Sequence, residues 1–144
     1  MALLSIAARF MLCFAGLERA HGTYEIGAGT RADAKNKLKG RALTKLAPVT
    51  EDLWEAHLAG KQGIGIVPIR DDASCVFGAI DIDAYDGLDL PALEAKCLAL
   101  KLPLTVCRSK SGGAHLYLFA AEALSAAEIR HALVEWAAAL GYPR

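Results

Sequence analysis

The chain contains 144 residues, with 16 basic residues balanced by 16 acidic ones, so the formal net charge is zero. The chain therefore lacks the overall positive charge that many nucleic-acid-binding proteins have. The length is typical of one domain with a sizeable core, and we predict a single domain over residues 1–144. The hydrophobic content of 54% is high. It is typical either of a domain cut from a larger assembly or of a simple alanine-rich globular domain.

The first 60 residues are predicted to form a helical and basic loop segment. The apolar N-terminal run is interrupted by Arg9 and is too short to cross a bilayer, so we predict an amphipathic helix over residues 5–20. Residues 21–48 contain many glycines and basic residues and are expected to be rich in loops. Thr50 precedes two acidic residues, which is the pattern of an N-cap and an acidic first turn. We therefore predict a second helix from Thr50 to about Gly60.

Positive charge is concentrated in the predicted loop between residues 31 and 45. This segment holds six basic residues and one acidic residue, Asp33. Such a segment is able to follow a nucleic-acid backbone by neutralising phosphates. A charged run of this kind is also typical of a solvated surface loop. The candidate nucleic-acid-binding residues are Lys35, Lys37, Lys39 and Arg41.

Residues 61–144 are predicted to form the core, with the element order β-β-α-β-β-α. Apolar and polar residues alternate in the strand candidates, and Leu93, Cys97 and Leu100 recur at helical spacing. A capping box opens the last helix at Ser125. This order predicts an α+β fold, a mainly antiparallel sheet with helices on one face. The predicted elements are strands 63–69, 75–83, 104–108 and 115–120 and helices 90–101 and 125–140.

Two acidic residues close an apolar strand. Side chains alternate along a strand, so Asp81 and Asp83 point to the same side, separated by about 6.5 Å of backbone rise. Burying two like charges among apolar neighbours is costly, and a divalent cation between them relieves that cost. Magnesium and manganese prefer carboxylate oxygens and keep positions for water and phosphate. The alternative is a pair of strand-end residues that precede a turn.

The glycine-rich turn between the last two strands has the chemistry of a phosphate site. Glycines let backbone N–H groups line a concave loop, two basic residues add positive charge, and His115 begins the next strand. The acidic strand, the glycine-rich turn and the histidine together predict nucleotidyl transfer. The alternative for the turn is a plain hairpin turn, and the alternative for His115 is a histidine with a structural role in the sheet. Tyr117 and Phe119 alternate with two leucines, so one of these pairs is expected near the site. The candidate nucleotide-binding residues are Arg108, Ser109, Lys110, Ser111, Gly112, Gly113 and His115.

These motifs resemble the first two signatures of the archaeo-eukaryotic primase superfamily. The resemblance is to the primase–polymerase domains found in TOTE conflict systems and in related phage or bacterial proteins. It extends from Phe14 to Pro143, and the ordered combination of motifs is more specific than the Asp-x-Asp pair alone. The matching segments are Trp54–Gly60, Gly63–Ile69, Val76–Asp83 and Arg108–Phe119.

The resemblance implies a palm sheet like that of an RNA-recognition motif and a DNA primase or polymerase that adds nucleotides with Mg²⁺ or Mn²⁺. It implies that Asp81 and Asp83 hold two metal ions and that Asp81, Asp83 and His115 are catalytic. The implied partners are nucleoside triphosphates and a DNA template or primer, in replication or in phage or mobile-element defence. Four cysteines without a C-x-x-C pair favour a reduced, cytoplasmic protein.

The family pattern also contains a third acidic residue, on a later strand. The sequence stops at Arg144, after a predicted helix, so we expect an incomplete palm that a C-terminal continuation or a helicase or nuclease partner completes. The alternative is a catalytically incomplete module that binds a nucleotide or single-stranded nucleic acid. A metal-dependent nuclease that uses Asp81, Asp83 and Lys110 is less favoured.

Overall fold

The computed structural model describes residues 3–28, 30–31, 39–84 and 86–143. Contacts divide the chain into two compact units, Met1–Asp72 and Ala73–Arg144, which we call the N-terminal and C-terminal units. Over the described ranges there are four helices and two antiparallel three-stranded sheets. The predicted α+β class is therefore confirmed, while the single domain stays a prediction. No helix in these ranges is long and apolar enough to cross a membrane.

The N-terminal unit contains two short helices and one sheet. In its sheet, β1 lies in the centre and pairs antiparallel with both β2 and β3. The helices pack through aromatic side chains: Trp54 is 5% exposed, and its ring centroid lies 5.6 Å from Phe10 and 5.7 Å from Phe14. Trp54 is therefore a core residue of this unit. The elements are α1 (Ile6–Cys13), β1 (His21–Glu25), β2 (Arg41–Lys45), α2 (Glu51–Leu58) and β3 (Gly63–Gly65).

Two predictions for this unit were wrong. The first helix ends at Cys13 rather than near residue 20. The loop-rich segment 21–48 contains β1 and β2, which pair from His21 opposite Lys45 to Glu25 opposite Arg41. Sequence alternation gives no signal for β2, because four of its five residues are exposed and none is buried. By contrast, α2 begins as predicted, since the Thr50 side chain accepts a hydrogen bond from the Leu53 N–H at 3.3 Å.

The C-terminal unit holds a sheet of order β4-β6-β5, in which β6 pairs antiparallel with both neighbours. Side chains on one face of this sheet pack against both helices, with Ile80, Ile82 and Leu116 at most 3% exposed. The placement of helices on one face is thus confirmed. The elements are β4 (Ser74–Ile82), α3 (Leu90–Ala99), β5 (Thr105–Arg108), β6 (Ala114–Ser125) and α4 (Ala126–Ala139).

Helix α4 packs closely on β4 because Gly78 has no side chain. A Cβ atom at Gly78 would lie 2.7 Å from Leu133 and 2.8 Å from Ile129. Leu93 and Cys97 of α3 are buried in the same core. Leu100, which continues their helical spacing, lies beyond the end of α3 and is 45% exposed, so the helix is shorter than the predicted 90–101.

The first two strands predicted for the core, over residues 63–69 and 75–83, do not lie in one sheet as predicted. Strands β3 and β4 do not pair with each other: β3 pairs with β1, and β4 pairs with β6. Strand β3 also ends at Gly65, before Pro68, a residue that lacks the N–H needed for a strand ladder. At the last helix, Ser125 makes no side-chain capping bond, since it ends β6 opposite Ser74. The predicted capping box was therefore wrong.

Candidate functional site

The face of the C-terminal sheet opposite α3 and α4 carries acidic, histidine and aromatic side chains. Because Ile80, Ile82, Leu116 and Leu118 point to the helices, their neighbours in sequence point the other way. We call this the polar–aromatic face, and it is formed by Asp81, Cys107, His115, Tyr117 and Phe119.

Strand register brings Asp81 and His115 together. The two residues are direct partners in the β4–β6 ladder. His115 Nε2 lies 3.4 Å from Asp81 Oδ1, and the side chains are 38% and 50% exposed. The antiparallel pairing thus joins a carboxylate and an imidazole that are distant in sequence, at a position where water and a ligand reach both.

Asp83 directly follows Ile82, the last residue of β4, and is exposed. Asp81 is also largely exposed, so both carboxylates are solvated. The expected cost of burying two like charges therefore does not arise, and that part of the argument for a cation was wrong. The remaining argument is the donor type, because carboxylate oxygens are the ligands that Mg²⁺ and Mn²⁺ prefer.

The turn between β5 and β6 is a three-residue hairpin loop, Lys110–Gly112. Ser109 N–H donates to Gly113 O at 2.9 Å, and Gly112 N–H donates to Ser109 O at 3.1 Å. Gly112 has a φ of 95°, the left-handed conformation that glycine favours at the end of such loops. The hairpin-turn interpretation therefore accounts for this glycine without a ligand.

Gly113 is required for a different reason. A Cβ atom there would lie 2.2 Å from the carbonyl oxygen of Ile82. Gly113, the residue after the loop, thus packs directly against the end of β4, next to Asp83. This contact brings the glycine-rich turn and the acidic strand end into one region.

The loop presents several groups able to bind an anion. Arg108, Lys110 and Ser111 are exposed. Ser109 is 8% exposed, with its Oγ 3.4 Å from Ser111 Oγ. Within the described part of the chain, the backbone N–H groups of Lys110 and Ser111 donate no hydrogen bond. Backbone N–H groups and cations in one loop are able to bind a phosphate.

The candidate nucleic-acid-binding residues lie in the N-terminal unit. Lys39 and Arg41 are exposed, and Arg41 begins β2 opposite Glu25. Lys35 and Lys37 lie outside the described residues.

Comparison with known protein families gives a match. A model of the TOTE conflict system, archaeo-eukaryotic primase domain, matches residues 22–139, which is most of the chain. The chain belongs to this family. Comparison with curated proteins finds no match. This is a family of primase-type nucleotidyltransferase domains. Its substrates are nucleotides and nucleic acids. Its domains generally use divalent metals.

The ligand set for such a metal is partial in this primase-family domain. Over residues 3–28, 30–31, 39–84 and 86–143, no group of three or more histidine, cysteine, aspartate or glutamate side chains is placed to hold a metal ion. Asp81 and Asp83 supply two exposed carboxylates, and carboxylate oxygens are the ligands that Mg²⁺ prefers. Mg²⁺ is commonly held by one or two carboxylates, with water and substrate phosphates in the other positions, so the pair fits a metal that arrives with a nucleotide.

The structure decides which of the alternating pairs on β6 lies at the site. Tyr117 and Phe119 share the face of His115, with the Tyr117 and Phe119 rings stacked at 5.8 Å. Burial raises the pKa of the Tyr117 hydroxyl, and the Cys107 thiol and the Asp81 carboxylate raise it further. Sequence analysis missed Cys107, which lies opposite His115 in the β5–β6 ladder. Only the register places it there.

Proposed function

We propose that this domain is a DNA primase or polymerase that binds a nucleoside triphosphate on the polar–aromatic face and adds nucleotides with divalent metal ions. The observation that supports this most directly is the pairing of Asp81 with His115, 3.4 Å apart, beside the loop Lys110–Gly112. Phosphoryl transfer requires a metal ligand, a side chain that donates a hydrogen bond to phosphate, and positive charge near the phosphates. The carboxylate, the imidazole and the cationic loop are of these three kinds.

The triphosphate is proposed to bind between the loop and His115. Arg108 and Lys110 contribute two positive charges, and the N–H groups of Lys110 and Ser111 are available to phosphate oxygens. His115, at the start of β6, donates from its ring to a further oxygen. Charge-assisted hydrogen bonds of this type are about twice as strong as neutral ones, so a few of them suffice to orient a triphosphate.

Asp81 and Asp83 are the proposed metal ligands, with Mg²⁺ or Mn²⁺ as the ion. When bound, the metal would supply Lewis-acid stabilisation of charge on the phosphoryl oxygens. The protein's own contribution is positional. The β4–β6 register holds the Asp81 carboxylate beside His115, so a metal ion held by Asp81 would lie next to a phosphate group that His115 binds.

The basic residues Lys35, Lys37, Lys39 and Arg41 are proposed to bind the template or primer. Lys39 and Arg41 are exposed, which leaves their charges available to phosphates. Because the net charge of the chain is zero, binding would depend on this local concentration of charge and would weaken as salt rises.

A second candidate function is a module that binds a nucleotide or single-stranded nucleic acid without incorporation. It is favoured by one observation: among the described residues, Asp81 and Asp83 are not joined by a third ligand. Both candidates predict metal-dependent triphosphate binding. They differ in that only the primase or polymerase extends a primer.

The test is a titration of the 144-residue chain with dGTP and with GTP, in the presence and absence of Mn²⁺. We expect metal-dependent binding that Asp81→Ala/Asp83→Ala abolishes and that Glu122→Ala, an exposed acidic residue near the far end of β6, leaves unchanged. Binding that persists in the double variant would rule out the proposed site. Extension of a primed template by the same protein then separates the primase or polymerase from the binding module.

A further inference from the structure

The two faces of the N-terminal sheet differ in burial. On one face, His21 and Thr23 of the central strand β1 are buried. On the other face, Gly22 is half-buried and Tyr24 is 43% exposed. Residues that pair directly across antiparallel strands share a face, so the register with β2 and β3 completes this second face. We call it the Tyr24 face, and it is formed by Gly22, Tyr24, Ala42, Thr44, Gly63 and Gly65.

The Tyr24 face carries an open groove of about 390 Å³, a volume within the range of ligand sites. All six residues of the face line this groove. The aromatic ring of Tyr24 therefore rises beside a floor of small residues.

The fold itself does not require glycine at three positions of this floor. Within the described part of the chain, a Cβ atom at Gly22, Gly63 or Gly65 would meet its nearest neighbour at an ordinary 3.4 Å. None of the three has a positive φ. Glycine in a strand interior weakens the strand, and one reason for its presence is the close approach of a ligand to the backbone. A flat group bound beside Tyr24 would explain these glycines.

The Tyr24 ring is held in place by Gly40. The Gly40 N–H donates a hydrogen bond to the Tyr24 hydroxyl oxygen at 2.6 Å. Gly40 also lies close to the ring, since a Cβ atom there would be 2.5 Å from Tyr24 Cε1. An aromatic ring that is fixed before binding loses little conformational freedom when a ligand stacks on it.

Positive charge lies at the end of the sheet where Tyr24 pairs with Ala42 and Gly63. The neighbouring acidic residue, Glu25, belongs to the other face, where its carboxylate is 3.9 Å from Lys45 Nζ. Bases of a single strand stack on aromatic rings while its phosphates meet cations, so ring, floor and charges are complementary to such a strand. The exposed cations at this end are Lys39, Arg41 and Lys61.

We propose that the Tyr24 face binds a base of a single-stranded nucleic acid, stacked on the Tyr24 ring, with the adjacent phosphates held by the cations at this end of the sheet. The proposal rests on the proposed function, because it names the site at which the N-terminal unit holds a template or primer. Stacking is tolerant of sequence, since every base has a π-face. Such tolerance suits a template or primer, whose sequence varies.

The first arm of the test separates bases from backbone. The 144-residue chain is titrated with labelled oligothymidine and with an abasic oligonucleotide of the same length, which has the phosphates without the bases. We expect the wild type to bind oligothymidine more tightly. Tyr24→Ala should weaken that binding about 5- to 150-fold, the range of one stacked base, and should leave the abasic affinity unchanged.

Two control variants belong to this arm. Tyr24→Phe keeps the ring and removes only the hydroxyl, so it should retain most of the affinity for oligothymidine. Lys39→Ala/Arg41→Ala removes charge and should weaken the binding of both oligonucleotides alike.

The second arm tests the floor with Gly63→Ala, a variant that should fold. The added methyl group has room in the folded protein, so the thermal unfolding midpoint should not fall. The same methyl group would separate the base from the floor. Oligothymidine should therefore bind about fivefold or more weakly, the lower end of the effect of overpacking, while the abasic affinity stays unchanged.

Equal affinity of the wild type for the two oligonucleotides overturns the proposal, and so does an equal loss for both in Tyr24→Ala. Gly63→Ala overturns it by binding oligothymidine like the wild type or by unfolding at a lower temperature, and this variant decides alone if Tyr24→Ala does not fold. A dimer in sedimentation velocity that Tyr24→Ala dissociates would assign the face to a second copy of the chain instead. A wild type that binds neither oligonucleotide also overturns the proposal, and the dGTP titration with Mn²⁺ then shows whether the nucleotide site fails as well.

Discussion

Gly113→Ala tests how closely the β5–β6 loop approaches the end of β4. An added Cβ would lie 2.2 Å from Ile82 O and 3.3 Å from Ser109 Oγ. The first contact is with backbone, so the loop or the strand must move. Overpacking costs about 1–3 kcal/mol, and contact with rigid backbone should place this variant at about 2–3 kcal/mol.

The matched control is Gly63→Ala in β3, where the nearest atom to the added Cβ, in Tyr24, is at an ordinary 3.4 Å. Glycine-to-alanine changes at compatible positions stabilise by about 0.4–1 kcal/mol, because the unfolded chain loses freedom. The two variants should therefore shift the free energy of unfolding in opposite directions. No positive φ is involved at either residue, so steric contact alone separates them.

Thermal unfolding followed by circular dichroism measures the difference. At about 2–4 °C per kcal/mol for a chain of this size, Gly113→Ala should lower the midpoint by about 4–12 °C. Ile82 pairs with Ala114 next to the Asp81–His115 pair, so triphosphate affinity should fall as well. A midpoint for Gly113→Ala at or above that of Gly63→Ala would refute the close approach.

Three other predictions use the same chain. Thr50→Ala should destabilise by about 1 kcal/mol in urea titrations through loss of its capping bond, whereas Ser125→Ala, which makes no such bond, should change stability by less than about half as much. Trp54→Ala should cost about 3–5 kcal/mol in the same titrations because the side chain is buried among aromatic rings; a cost below about 1 kcal/mol would contradict that packing. For single-stranded DNA, Lys39→Ala/Arg41→Ala should make the slope of log affinity against log salt less negative by about 1.4, because each phosphate contact contributes about 0.7. An unchanged slope would exclude these two residues from the interface.

Local features of the fold were predictable from sequence. The cap at Thr50, the end of β4 at the acidic residues and the shared side of His115, Tyr117 and Phe119 all depend on neighbours within a few residues. The core positions of Leu93 and Cys97 follow from helical spacing in the same way. In each case the periodicity of the backbone places the side chain before any distant contact forms.

Strand pairing was less predictable. β2 has no buried residue, so it lacks the alternation that marks a half-buried strand. It exists because its backbone pairs with β1, a contact between distant segments. The same holds for β3, which pairs with β1 although β4 follows it in sequence. Such pairings depend on which edges meet in space, and a local pattern does not contain that information.

The candidate site, like the fold, was predictable from sequence only in part. The sequence by itself determined its chemistry, namely two carboxylates at the end of an apolar strand, a basic glycine-rich turn and a histidine followed by alternating aromatics. Only the tertiary structure decided that His115 lies opposite Asp81, that Cys107 joins them and that Tyr117 contacts the imidazole. The reason is physical: the alternation of side chains is set by covalent geometry, whereas register is set by the hairpin loop and by packing of the opposite face on α3 and α4. A shift of one residue in β4 would turn Asp81 away from His115 and towards the core.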